Sequence, residues 1–441
     1  ARRPEERYAS AAALAEDLRR HWTNQPLAGV PNRNIAERWD KWRRRRPNTF
    51  RAVAMLAVVV AAAAIVGAGT WSQMRERRIE ADRALLDADT QVQSGEYAAA
   101  VRTLERGVTR AERLPAHSAL QQQLRDQLSA AKRLHVAQQL HELADEIRVL
   151  YGADSISPAR LQTIASQCRE FWAKRQLLID TLGAELSSDV KADLLDIAIF
   201  AASLAVKMSG DSDDTTVGRE AVRLLDEAEA MFGASPVLDY ERGVYRRALG
   251  LADPPESSTN AAGQAALRTA WEHYALGRSY LTSNDLPRAA EHLAAAIELD
   301  PAGRWPNFYS GLCAYRQRRY DEAVAAFSVC IGASPNVAGC FYNRALAYAA
   351  LGRPGQALHD YDRALELDPT HAAAALNRGM LHYEQSNFDR AIADLRLALE
   401  HGADPATVHF DLALAYLAAN DPANALDNAR RALELDRDHE Q

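Results

Sequence analysis

Small and large apolar residues recur every 34 positions through the last third of the chain. Ala289, Ala323, Ala357, Ala391 and Ala425 form one column. Leu293, Phe327, Tyr361, Leu395 and Ala429 stand four residues later, and Ala296, Cys330, Ala364, Ala398 and Ala432 seven later. Gly277, Gly311, Ala345, Gly379 and Ala413 lie twelve residues before the alanines. This is a pair of helices per period, helix A and helix B. Small residues let the two approach closely, and the large residue fills the space beside them. Pro301, Pro335 and Pro369 close the first three periods, because proline cannot continue a helix. Pro405 follows the fourth two residues late, and the fifth has Arg437 where a proline would stand. The pattern predicts five stacked helix pairs over residues 264–437.

The upstream pattern is helical but less regular. Residues 84–107 repeat the spacing once, with Leu85-Leu86, Gly95-Glu96-Tyr97, Ala100 and Leu104. Leu120 to Leu150 reads as one long amphipathic helix ending at Gly152, and Ser157-Pro158 offers the next start. Ala221, Leu225 and Ala228 reproduce the helix B spacing, after a long loop from Ser209 to Gly218. Residues 252–263 read as a polar linker. Degenerate helical pairs are expected over residues 72–250, with no new catalytic domain.

One stretch has no polar face. Ala52 to Trp71 carries no charge, and its length matches the ~30 Å hydrocarbon core of a bilayer. Phe50 and Trp71 place aromatic rings at its two ends. Charge then sets orientation. The 21 residues before Ala52 hold eight Lys/Arg against Glu37 and Asp40; the 20 after Trp71 hold four Arg against five acids. The more basic side stays in the cytoplasm. Residues 1–78 carry a net +9, the remainder −16. The Arg43–Arg46 cluster in the linker of residues 25–51 is a topology signal that meets anionic lipid, not a nucleic-acid patch. Ala63-x-x-x-Gly67 and Ala64-x-x-x-Ala68 would let two such helices meet in a weak homodimer.

The 34-residue columns resemble the tetratricopeptide repeat (TPR), an all-α superhelix that binds proteins. The resemblance implies a groove lined by helix A and a protein or peptide ligand. Mapped onto this chain, the groove holds Trp271, Tyr274, Arg278, Trp305, Phe308, Tyr315, Tyr342, Asn343, Asn377, Met380, Tyr383 and Phe410. The alternative for the aromatic column is packing between neighbouring repeats. The lysines and asparagines of a clamp for two carboxylates are not found.

A second resemblance lies at the start. Pro4-x-x-Arg7-Tyr8-x-Ser10, followed by Leu14 and Leu18-Arg19-Arg20-His21-Trp22, is similar to the end of the catalytic domain of bacterial serine/threonine protein kinases. Ser10 would cap the helix. Residues 1–24 then read as the last helix of a domain whose body is not in this sequence. ATP and magnesium are implied for a full-length kinase. No cofactor is implied for this chain, which lacks the glycine-rich loop, the strand lysine and both metal ligands.

Little else suggests chemistry. Cys168, Cys313, Cys330 and Cys340 have no metal-site spacing, and the last three read as buried thiols although a disulfide is open to them. His135 and His141 lie six apart on one helix, the wrong spacing for a zinc site. The expectation is the protein-binding part of a single-pass inner-membrane kinase, its repeats opposite the cytoplasm. The alternative is a membrane-anchored adaptor without kinase activity, and the sequence upstream of Ala1 would decide.

Overall fold

The computed structural model describes residues 8–23, 25, 27–28, 35–114, 118–151, 158–182, 187–208, 215–248, 267 and 269–439. The expected kinase-like residues Arg2 to Arg7, the Ser157 cap, most of the 209–218 loop and the 252–263 linker lie outside these. Among the described residues there is no strand. The chain divides into two compact units, Ala1–Lys132 and Arg133–Gln441. That boundary falls inside the region 72–250 that the sequence pattern treats as one.

In the first unit, α1 (Ala11–Trp22) starts as expected, with the Ser10 hydroxyl accepting from the Ala13 N–H at 3.1 Å. Leu14 and Leu18 are exposed; the buried residue of α1 is Asp17, which accepts from the Ala28 N–H at 2.6 Å. In α2 (Ile35–Arg45), Trp39 stacks on Trp42 at 5.1 Å, and both rings meet Phe50 edge-on. Phe50 opens α3 (Pro47–Gln93), which at ~1.5 Å per residue is ~70 Å long. Among the described residues the apolar run of α3 has no buried side chain: Leu56, Val58 and Ile65 are exposed. Its last turns do pack. Ala81 and Ala88 meet Ala100 and Leu104 of α4 (Tyr97–Ala111) across the turn at Gly95. Ala88, Ala100 and Leu104 keep the spacing of the later repeats, so the expected outlying pair forms.

The second unit contains the end of α5 (Ser118–Tyr151), then α6 (Pro158–Ala173), α7 (Arg175–Leu182), α8 (Ser188–Met208), α9 (Thr215–Phe232) and α10 (Pro236–Ala248). Five pairs follow: α11 (Ala270–Thr282) with α12 (Leu286–Leu299), α13 (Arg304–Arg316) with α14 (Tyr320–Ala333), α15 (Ala338–Ala350) with α16 (Pro354–Leu367), α17 (Ala372–Glu384) with α18 (Phe388–Glu400), and α19 (Pro405–Ala418) with α20 (Pro422–His439). The small residues do what the pattern predicts. A Cβ on Gly311 would stand 2.7 Å from the Phe327 ring, and one on Gly277 2.7 Å from Leu293.

Two hydrophobic cores run through this unit. One joins α5, α6, α8, α9 and α10 to the first two repeats and ends in α15; the other joins repeats three to five. Cys330 and Cys340, in α14 and α15, form a disulfide where the two cores meet. This corrects the expectation of buried thiols there. Adjacent helices bring the two residues to a Cα separation of 6.3 Å, within bridging range, while Cys168 and Cys313 stay free and buried. From Leu194 to Leu204 helix α8 is apolar save for Asp196 and Ser203, so this stretch sits in the first core, with Leu194, Ile197, Ile199 and Phe200 enclosed.

Candidate protein-binding face

The five helices A carry the residues selected from the sequence, but the face they form has two different halves. Over the first two repeats it is covered by α5 and α8. The Arg278 guanidinium donates to Asp196 of α8 at 2.9 Å and to the Tyr274 hydroxyl at 3.0 Å, and lies 4.6 Å over the Phe200 ring. Trp305 Nε1 donates to Asp145 of α5 at 3.0 Å, and Arg304 pairs with the same carboxylate. The Tyr309 hydroxyl donates to the Arg148 carbonyl at 2.7 Å. A Cβ on Gly339 would stand 3.1 Å from Val149, so α5 reaches the first turn of the third helix A.

Four charges are buried under this cover. Arg148 binds Asp193 at 2.7 Å and Asp196 at 2.6 Å, and Arg278 binds the other oxygen of Asp196. Burial alone would push the Asp196 carboxyl up, yet Arg278 and Arg148 hold it below its ordinary value. Burial likewise opposes the Arg148 charge, but Asp196 leads the groups that raise its pKa above normal. Burial pushes the Tyr274 hydroxyl up to about 12. At the rim, the hydrogen bond to Asp193 raises the pKa of half-exposed His141.

These contacts correct part of the groove drawn from the sequence. Tyr274, Arg278 and Phe308 are 3%, 0% and 1% exposed and belong to the core. Trp271 and Trp305 are half-buried against the same core. The covering helices come from residues far away in the chain, 160 positions in the case of Asp145 and Trp305, which the repeat pattern does not encode. One signal was readable. Asp193 and Asp196 interrupt an apolar run in α8, and buried carboxylates need cationic partners.

Over the last three repeats the same register positions emerge. The column of Tyr274 and Phe308 continues through half-buried Tyr342 and Leu376 to Phe410, which is 56% exposed. The column of Leu281 runs through half-buried Tyr315, Ala349 and Tyr383 to Leu417, 63% exposed. Met380 is half-buried between them in register. Asn343 and Asn377 are held to their own helices, donating to the carbonyls of Gly339 at 2.7 Å and Ala373 at 2.8 Å. Asn377 also donates to the Tyr342 hydroxyl at 3.3 Å, tying the third helix A to the fourth. This is a shaped apolar face with few polar groups, suited to holding a chain. Among the described residues no group of three or more His, Cys, Asp or Glu could hold a metal ion.

Two profiles described as tetratricopeptide repeat match the chain, one over residues 274–338 and 376–440 and the other over residues 338–371. These segments coincide with the five helix pairs, which are tetratricopeptide repeats. The chain is 27% identical over 127 residues to Hsp70-Hsp90 organizing protein 3 of Arabidopsis thaliana, a match covering 29% of this chain and 22% of the relative. It is 35% identical over 128 residues to sperm-associated antigen 1 of Rattus norvegicus, covering 29% and 13%. It spans about a fifth of the length of the organizing proteins that it matches. Among solved structures, YrrB, titled a TPR protein with an unusual peptide-binding site, matches 41% of this chain and 93% of its own, at 23% identity and TM-score 0.35.

Proposed function

We propose that this chain is the protein-binding scaffold of a membrane-bound serine/threonine kinase. The observation that carries the binding role is the set of apolar side chains on the helix-A face of the last two repeats, with Phe410 and Leu417 exposed and Leu376, Met380 and Tyr383 half-buried. A photoreactive amino acid at Tyr383 should crosslink a partner protein in cells, and the same group at Glu366, exposed on the helix B side, should not. Equal crosslinking at both positions, or none at Tyr383, would refute the role.

The membrane reading is supported by the exposed apolar run of α3 and its basic flank. In this reading α3 crosses the inner membrane once with residues 1–51 inside, Arg43–Arg46 meet anionic lipid, and the small-residue spacing permits weak pairing of two spans. The Cys330–Cys340 bridge supports placing the repeats opposite the cytoplasm, because disulfides persist in oxidising compartments. The kinase reading is supported by the residues around Ser10 alone. In it, the chain itself takes no cofactor; ATP and magnesium belong to the catalytic domain. Purified residues 1–441 should therefore show no magnesium-dependent autophosphorylation, and measurable phosphoryl transfer would sink the assignment. An adaptor with no kinase attached remains the second reading.

A further inference from the structure

The long apolar helix is preceded by a short one with an apolar stripe of its own. In α2, Ile35, Trp39 and Trp42 stand at i, i+4 and i+7, so they share one side of the helix. Arg38 and Arg45 border this stripe on one flank and Arg43 on the other, all three exposed. Ile35 is 80% exposed and Trp39 53%. Lys41, about 120° round the helix from the stripe, is buried and its ammonium meets Nδ1 of His21 in α1 at 3.2 Å. Helix α1 therefore lies against another side of α2, and the stripe stays at the surface. A surface helix of a globular protein turns its apolar residues inward. This one turns an indole and an isoleucine out.

Phe50 fixes the level of the stripe relative to the apolar run of α3. The Trp39 and Trp42 rings lie 6.2 and 6.3 Å from the Phe50 ring. On one continuous helix, positions 39 and 50 would be about 16 Å apart along the axis. The chain instead leaves helical geometry at Arg46, with φ −127° and ψ 64°, and restarts at Pro47. So α2 does not prolong α3. It turns off that axis and brings its indoles back to Phe50. Phe50 stands two residues before the uncharged run that begins at Ala52, ~3 Å from its end. The Arg43 guanidinium lies 5.9 Å over the same ring. Three aromatic rings and a cation are thus gathered at the level where the headgroups of a bilayer meet its acyl chains.

We propose that α2 is a second membrane element, lying in the cytoplasmic headgroup layer of the bilayer that α3 crosses. Ile35, Trp39 and Trp42 rest on the acyl boundary, and Arg38, Arg43 and Arg45 meet the phosphates of anionic lipid. The inference rests on the membrane reading of α3 above and adds to it a helix that lies in the surface without crossing. Two observations choose lipid as the occupant. The stripe is continuous with the span through Phe50, which belongs to both. Its borders are arginine on either flank, and a narrow apolar face edged by basic side chains suits an interface, where indoles sit at headgroup level and long cations reach the phosphates. Through His21 and Lys41 the same helix ties α1 to the membrane surface.

The test places a benzophenone amino acid in the full chain, reconstituted in vesicles of equimolar phosphatidylcholine and phosphatidylglycerol. At Trp39 it should capture lipid on illumination, and at Arg44, on the opposite side of α2, severalfold less. The yield at Trp39 should fall severalfold in Arg38→Gln/Arg43→Gln/Arg45→Gln, and again in vesicles of phosphatidylcholine alone. Equal capture at Trp39 and Arg44, a yield indifferent to the arginines and to lipid charge, or capture of a second copy of this chain in place of lipid overturns the proposal. A third probe at Val59, in the apolar run of α3, separates the two readings. Lipid captured at Val59 but not at Trp39 keeps the span and removes the interfacial helix. No lipid at Val59 removes the span, and the proposal with it.

Discussion

At the scale of single residues, burial separates two kinds of aromatic that occupy the same register. Phe308→Ala should destabilise the second unit by ~3–5 kcal/mol, because the ring is enclosed beside Phe327. Phe410→Ala should leave the thermal midpoint nearly unchanged. Parallel melts of the two variants check this, and similar losses would deny the division of the face. Asp196 is the sharper case. Removing it in Asp196→Ala leaves Arg278 and Arg148 buried with one carboxylate fewer, a loss of ~3–5 kcal/mol by chemical denaturation. Its folded pKa lies below the ordinary carboxylate value. The stability it contributes is therefore present above the unfolded pKa of ~3.9 and disappears as pH falls through the folded value. Acid titration should unfold wild type at about pH 4 or below, and that acid limb should flatten in Asp196→Ala.

At the scale of elements, the helix pairs were legible because steric contacts fix their register. Gly277 meets Leu293 and Gly311 meets Phe327 at distances where no side chain fits, so the columns of small and large residues are nearly a map of each crossing. The cover of the first two repeats was not legible. It depends on pairs such as Asp196 with Arg278, 82 positions apart, whose meeting no local pattern announces. The turns between A and B carry a further regularity. Asn284, Arg318, Gly352, Ser386 and Asn420 all take positive φ, between 60° and 67°, at the same place in each repeat. Asparagine tolerates this conformation, but arginine and serine are strained in it. Arg318→Gly should raise the stability of the array by up to ~1 kcal/mol, read as a higher denaturation midpoint. Gly352→Val should lower it.

At the scale of the whole molecule, the disulfide and the apolar run make linked claims about compartment. Reporter fusions at residues 45 and 260 should report opposite sides of the membrane. Thiol labelling of denatured, unreduced protein from cells should find Cys168 and Cys313 but not Cys330 or Cys340. Labelling of all four cysteines would place the repeats in a reducing compartment. The division into two cores has a consequence for motion. The first two repeats are tied to partners 80 to 160 positions away, whereas repeats three to five are held mainly by near neighbours, apart from the contact of α5 at Gly339. A stack of the second kind opens more readily than one tied to distant partners. Backbone amide hydrogens should exchange slowly in α11 to α14 and faster in α15 to α20. A ligand seated on α15, α17 and α19 would slow that exchange, so the last repeats would grip their partner by being ordered by it.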